Sequence, residues 1–258
     1  MEPIPHRYFI QLSFTGRNYH GWQIQKNAPS VQAVLEKALS VMFNDEVQLV
    51  GCGRTDTGVH ARMFYAHFDH DPLSLEQRAR LMYKLNGYLP EDIAVHNIFL
   101  VRSNAHARFD ATSRTYLYQI SRSKNPFLVG FAHYLFGSLD VELMNTGASV
   151  LPEYKDFTSF SKSHTQVKTN QCNIINARWE EEGDLLVFTI TADRFLRNMV
   201  RAIVGTLLEL GRHKITLGEF HRIIESRDRS EAGMSVPAHG LYLVDVRYPE
   251  DIFLNFIW

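Results

Sequence analysis

The spacing of hydrophobic and polar residues along this chain changes period several times, and each change marks an element. From Arg7 to Phe14, the residues Tyr8, Ile10, Leu12 and Phe14 alternate with their neighbours, which predicts a half-buried strand. Thr15-Gly16-Arg17-Asn18 then turns the chain. After Pro29, Ser30 is placed to cap a helix whose stripe is Val31, Val34, Leu35, Ala38, Leu39 and Met42, ending near Asn44. That stripe must pack on a sheet. Val47 to Val50 reads as a short strand and Arg62 to Phe68 as another. Ser74 with Gln77 three residues later predicts a capping box for a second helix, and Ala94 to Val101 returns as a strand. The first half therefore reads strand, helix, strand, strand, helix, strand.

The second half repeats this plan loosely. Arg114 to Ser121 predicts a strand with Tyr116, Tyr118 and Ile120 on one face, and Val141 to Leu151 predicts a helix. Asn173 to Glu180 and Leu185 to Thr191 form a hairpin around Glu182-Gly183-Asp184. Phe195 to Leu210 places Met199, Ile203, Val204, Leu207 and Leu208 at helical spacing, with Gly211 as the residue that ends the helix. Thr216 with Glu219 caps a further helix through Ile224, and Leu241 to Tyr248 closes as a strand. No Pro/Gly/Ser-rich linker separates the halves. The fold class predicted is α+β, in two pseudo-duplicated subdomains that share one sheet: residues 1–105, residues 106–250, and a tail at 251–258.

Composition adds bounds rather than detail. A chain of 258 residues, 45% hydrophobic and 21% charged, is long enough to bury a sizeable core. Cys52 and Cys172 show neither a C-x-x-C pairing nor zinc spacing, so free thiols in a reducing compartment are expected. Met1-Glu2-Pro3-Ile4-Pro5 does not open a signal peptide, and no apolar run approaches the length that crosses a bilayer. Cytoplasmic residence is the resulting expectation. A formal net charge of -1 argues mildly against a nucleic-acid partner, but the charges are segregated along the sequence. Arg102, Arg108, Arg114, Arg122 and Lys124 form one basic cluster, and Arg194, Arg197, Arg201, Arg212 and Lys214 another, while Glu180-Glu181-Glu182 concentrates acid. Such clusters could make one surface positive on a nearly neutral protein, or could simply be solvated faces.

The chemistry concentrates in Gly51-Cys52-Gly53-Arg54-Thr55-Asp56-Thr57-Gly58-Val59-His60-Ala61. Asp56 follows a short apolar run, between an arginine and glycines that either take φ > 0 or let another segment approach closely. A turn built from Asp and Gly for geometry alone is one reading. A phosphate-binding loop is another, but the spacing fits neither Gly-x-Gly-x-x-Gly nor a Gly-Lys-Ser/Thr motif. A catalytic carboxylate with Arg54 beside it is the third.

Eight stretches together resemble the TruA-type tRNA pseudouridine synthases. They are Gly21-Trp22-Gln23-x-Gln25, Ser30-Val31-Gln32-x-x-Leu35-Glu36-x-Ala38-Leu39, Gly53-Arg54-Thr55-Asp56-x-Gly58-Val59-His60-Ala61, Ala107-Arg108-Phe109, Arg114-x-Tyr116-x-Tyr118, Asp156-Phe157-Thr158-Ser159-Phe160, Phe195-Leu196-x-x-Met199-Val200-Arg201 and Gly240-Leu241-Tyr242-Leu243. All fall in family order. The resemblance implies two α+β subdomains with joined antiparallel sheets, helices on one side and a basic active-site cleft at the junction. It further implies a cytoplasmic homodimer that uses neither cofactor nor metal, and that isomerises uridine at positions 38, 39 and 40 of the tRNA anticodon stem-loop.

That reaction breaks the C1′–N1 glycosidic bond, turns the uracil and joins C1′ to C5, so it needs a nucleophile or base beside the sugar and a grip on the detached base. By the resemblance, Asp56 is the catalytic carboxylate, acting as nucleophile at C1′ or as base on the ribose. Tyr116 stacks on the uracil, and Arg201 pairs with the carboxylate. Arg54 contacts the RNA backbone or displaces the target nucleotide. Without the resemblance, Tyr116 reads as a strand aromatic and Arg201 as a helix-flank arginine reaching to water. Cys172 stands where the family pattern carries a basic residue, and Ser30 and Ser235 where threonine is common. The rival from another class is a metal-dependent hydrolase using His60, His67, Asp69, His70 and Asp71; His67 and His70, however, lie near the end of an alternating strand, three residues apart, and point to different faces.

Overall fold

A computed structural model of the chain describes residues 6–162 and 169–254. The readings placed on residues 1–5 and 255–258 lie outside the described residues. The described chain is mixed α+β, with five α-helices and mostly antiparallel strand pairing. It divides into two compact units: residues up to Thr112 together with those from Leu243 onward, and Ser113–Tyr242. The boundary expected near residues 105 and 250 thus falls elsewhere, and the reason lies in the packing of the first unit.

That unit contains β1 (His6–Phe14), α1 (Val31–Phe43), β2 (Val50–Gly51), β3 (His60–His70), α2 (Leu75–Tyr88) and β4 (Ile93–Val101). β1 lies between β3 and β4, antiparallel to both, and β2 adds to β3. The predicted order of elements is the observed one. Ser30 Oγ accepts from the Ala33 N–H, Asn44 ends α1 in the left-handed region at φ 54°, and Ser74 and Gln77 form the reciprocal capping box of α2. Caps of this kind are readable because every partner lies within four residues.

β1 departs from its prediction. It is not half-buried, because Phe9 is as buried as Tyr8 and Ile10. Tyr8 faces the helices, stacking on Phe68, which in turn meets Phe43 of α1. Phe9 faces the other way, against Tyr65, Tyr248 and Phe253. The last described residues have returned to cover the second face: the Arg102 N–H donates to the Ile252 carbonyl and the Leu254 N–H to the Leu100 carbonyl. This return assigns the C-terminal segment to the first unit. Val47 to Leu49 also differs, forming no ladder, because Ser40 Oγ and Glu36 Oε1 accept the Val47 and Leu49 N–H groups instead.

The second unit runs β5 (Ser113–Ser121), β6 (His133–Tyr134), α3 (Val141–Ser149), β7 (Ile174–Glu182), β8 (Leu185–Ala192), α4 (Met199–Gly211) and α5 (Leu217–Ser226), after which β9 (Leu241–Arg247) leads back to the first. β8 lies between β5 and β7, antiparallel to both, and β6 runs parallel to β5. The predicted hairpin is present, with Gly183 at φ 59° in its two-residue turn. α4 starts later than predicted, at Met199, with Asn198 left-handed at φ 68° before it. Gly211 does not end it. It is the last helical residue, and the left-handed position is His213. Gly211 is small for a different reason, since a Cβ there would run into Met144 of α3.

Candidate active site

The Asp56 loop leaves β2 and returns into β3, and its first end is pinned on β3: Gly51 pairs with Ala66, and the Cys52 N–H donates to the Tyr65 carbonyl at 2.7 Å. Inside the loop, the Val59 N–H donates back to the Asp56 carbonyl at 3.1 Å, with Gly58 at φ 81°. A positive φ at the third residue of such a turn is what type II geometry demands, which explains that glycine. Asp56 itself is half-buried, between a buried Thr55 and an exposed Thr57.

The segment from Gly16 to Trp22 clamps the loop from outside. The Trp22 N–H donates to Thr55 Oγ1 at 3.0 Å, the Gly16 N–H to His60 Nδ1 at 3.1 Å, and the Gly58 N–H to the Tyr19 carbonyl at 3.4 Å. Gly21, at φ 90°, lies so close that a Cβ would enter the Thr55 carbonyl, and one on Gly16 would enter that of Val59. The Trp22 indole is buried and stacks on Phe64 at 4.2 Å, filling the space a side chain at Gly51 would need. Tyr19 is fixed through its hydroxyl to Asp92 at 2.6 Å; burial, then that bond and the carboxylate's charge, hold the phenol well above its ordinary range. Gly53 differs from Gly16, Gly21 and Gly51, with open space where a Cβ would lie. Arg54 is exposed on this loop.

In the second unit, Tyr116 lies on β5 opposite Ile190 of β8, half-buried, with its ring edge-on to Phe195 at 5.1 Å. Arg114 does not point to solvent, because it donates to the Asp193 carbonyl at 2.7 Å. Tyr118 is fully buried, and its hydroxyl donates to the Pro237 carbonyl at 2.9 Å; burial is the main reason its phenol is pushed far up. Arg201, in the first turn of α4, does not snorkel freely: its Nε donates to the Val236 carbonyl at 2.7 Å, and the Val236 N–H donates to its backbone carbonyl. Val236 and Pro237 thus serve both Arg201 and Tyr118. Their segment lies tight on α4, since a Cβ at Gly205 would enter the Met234 carbonyl, and Ser235 Oγ accepts from both Asn198 and Arg229. These backbone carbonyls carry no signal in the sequence, whereas the Gly21-Trp22 clamp was at least present as a motif.

Asp156-Phe157-Thr158-Ser159-Phe160 is scaffold in this structure. Asp156 accepts from the Thr158 N–H and hydroxyl, the two phenylalanines are fully buried, and Ser159 Oγ donates to the Ile223 carbonyl of α5. Cys172 is buried, and burial pushes its thiol up to about 12. The basic clusters are less segregated in space than in sequence, because Arg102 meets Asp251, Arg122 meets Glu181 and Arg194 donates to the Thr169 carbonyl.

The residues of the metal-hydrolase reading scatter. His60 accepts from Gly16, His67 Nδ1 accepts from the Ala107 N–H, Asp69 pairs with Arg7 at 2.7 Å, and His70 stacks on Phe43. Among the described residues, no three His, Cys, Asp or Glu side chains converge as a metal would require. Nor, among those residues, is any helix long and apolar enough to cross a membrane.

Comparison with known proteins gives the class first. Residues 154–249 match the family described as tRNA pseudouridine synthase. Three full-length relatives, each named tRNA pseudouridine synthase A, narrow it. The protein of Parabacteroides distasonis is 55% identical over 96% of this chain and 98% of its own length, and that of Bacteroides thetaiotaomicron is 55% identical over 96% and 92%. The protein of Porphyromonas gingivalis is 52% identical over 96% and 99%. The chain belongs to the tRNA pseudouridine synthase A family. Its activity is that of an isomerase converting uridine to pseudouridine in tRNA.

Proposed function

We propose that this enzyme isomerises uridines of the tRNA anticodon stem-loop, at positions 38, 39 and 40, with Asp56 as its catalytic carboxylate. The observation that carries the reading is the construction of the Asp56 loop. A half-buried carboxylate is held by a type II turn, a two-strand anchor and a clamp whose glycines are required by close approach. A solvated turn former needs none of this. Fixed geometry is what a carboxylate needs to act on C1′ or a ribose proton, since misplacement by about 1 Å costs on the order of a hundredfold in rate.

Tyr116 and Arg201 are the partners of Asp56 in this reading. Tyr116, supported edge-on by Phe195, takes the uracil face; Arg201, aimed by the Val236 carbonyl, balances the carboxylate's charge. Arg54, exposed on the loop, engages the RNA. A target uridine must leave its stack first, at a cost on the order of a few kcal/mol, which backbone contacts offset. The enzyme works as a cytoplasmic homodimer without cofactor or metal.

The test is pseudouridine mapping in tRNA incubated with the purified protein. Asp56→Ala and Asp56→Asn are expected to remain folded, bind tRNA and form no pseudouridine, and Arg201→Ala to lose most activity. Appreciable turnover by Asp56→Ala overturns the assignment, and modification confined to other tRNA positions overturns the site.

A further inference from the structure

The stretch Ala107-Arg108-Phe109 has no part in the chemistry above, yet it displays the most exposed phenylalanine among the described residues of the first unit. Phe109 is 73% exposed. The turn that carries it is unusually well fastened. The Arg108 and Phe109 N–H groups both donate to His106 Nδ1, at 3.1 and 3.3 Å. The His106 N–H donates to the Asp110 carboxylate at 2.7 Å, and the Asp110 N–H returns to the His106 carbonyl.

Three further bonds tie the turn to the sheet. Arg7 donates to the Ala105 carbonyl at 3.0 Å, the Ala107 N–H to His67 at 3.1 Å, and the Tyr248 hydroxyl to the Ala107 carbonyl at 2.6 Å. His67 is also the residue of β3 that pairs with Val50, at the start of the strand leading into the Asp56 loop. Platform and catalytic loop therefore hang from the same strand pair.

An apolar ring held in water by this many bonds is not fraying. Flanking it are the His106 ring, at 4.3 Å between centroids, and the Arg108 guanidinium, 5.5 Å from its centre. An exposed aromatic ring with a tilted imidazole against it and a cation over it offers the surface on which an unpaired nucleobase stacks, whatever its identity.

We propose that Phe109 is a stacking platform for an unpaired base of the tRNA substrate, with Arg108 contributing its charge to the same base or to the adjoining phosphate. This rests on tRNA being the substrate. It adds a subsite, outside the catalytic residues, that holds a nucleotide displaced from the stem-loop stack.

Binding of unmodified tRNA by Phe109→Ala, Phe109→Leu and Phe109→Trp, each at low and moderate salt, tests it. Phe109→Ala and Phe109→Leu are expected to weaken binding about tenfold, the scale of one lost base stack, and Phe109→Trp to bind within about twofold of the parent. The salt slope is expected to be the same in all, because no phosphate contact is removed. Indole emission gained in Phe109→Trp over the parent's background is expected to be quenched by tRNA. Parental affinity in Phe109→Leu, affinity in Phe109→Trp as weak as in Phe109→Ala, or unquenched emission would overturn the platform. An unsubstituted protein that binds no tRNA would overturn it together with the functional reading. One that forms pseudouridine while Phe109→Leu binds as well as the parent would overturn the platform alone.

Discussion

His67 shows how much one residue contributes when its surroundings leave it no freedom. Its ring is 5% exposed, lies opposite Phe9 in the sheet and accepts the Ala107 N–H, so it must stay neutral to do its structural work. Burial first, then the charges of Arg7 and His106, bring it from an ordinary 6.5 down to about 4. Between those values the unfolded chain takes up a proton that the folded one refuses. Stability is therefore full above pH 6.5, falls as the pH drops toward 4, and stops falling on this account below that. A shift of this size corresponds to a loss on the order of 3 kcal/mol. Urea unfolding between pH 4 and 7 is expected to show the loss, and His67→Asn, whose side-chain oxygen can still accept the Ala107 N–H, is expected to flatten it. The slope does not vanish, because His106 is lowered in the same sense, again mainly by burial. Equal slopes in the parent and His67→Asn would remove His67 from this account.

Among the elements, the Asp56 loop makes the sharpest claim, because its glycines do different work. Gly21→Ala puts a methyl group into the Thr55 carbonyl at a left-handed φ, and is expected to cost about 2–4 kcal/mol and, by displacing the loop, most of the activity. Gly53→Ala meets open space and is expected to change stability by no more than about 0.5 kcal/mol. Thermal melts of both, read beside pseudouridine formation, check the contrast; equal losses would mean the clamp is not what fixes the loop. The same contrast shows what the sequence made legible. Element order, the three serine and threonine caps and the position of Asp56 were readable because each depends on neighbours a few residues apart. The partner of Phe9, the carbonyl that aims Arg201 and the acids that meet Arg102 and Arg122 were not, because each lies tens of residues or more away in the chain. Periodicity reports that a face is apolar, and says nothing of which distant segment covers it.

For the whole molecule, the decisive feature is the return of residues from Leu243 onward to the first unit. Tyr248 and Phe253 cover Phe9 and Phe99, and Tyr248 also holds the turn under Phe109. A chain ending at Arg247 would leave this face bare, and each uncovered aromatic side chain costs roughly 1.5–3 kcal/mol. Such a truncated protein is expected to lose several kcal/mol in the first unit while α4 and its neighbours stay protected. Hydrogen exchange resolved along the chain would show this, and uniform loss across both units would contradict it.

The same return has a consequence in time. On the ribosome the second unit is a continuous segment and is complete once Tyr242 has emerged. The first unit is not, although it was begun earlier. At about 5–20 residues per second, the nascent β1 waits roughly twelve to fifty seconds with one aromatic face open while the intervening segment is made. The half of the protein synthesised first is thus the half that finishes last. The cell's chaperones meet it during that interval as an unfinished sheet, before it has any enzyme's surface to show.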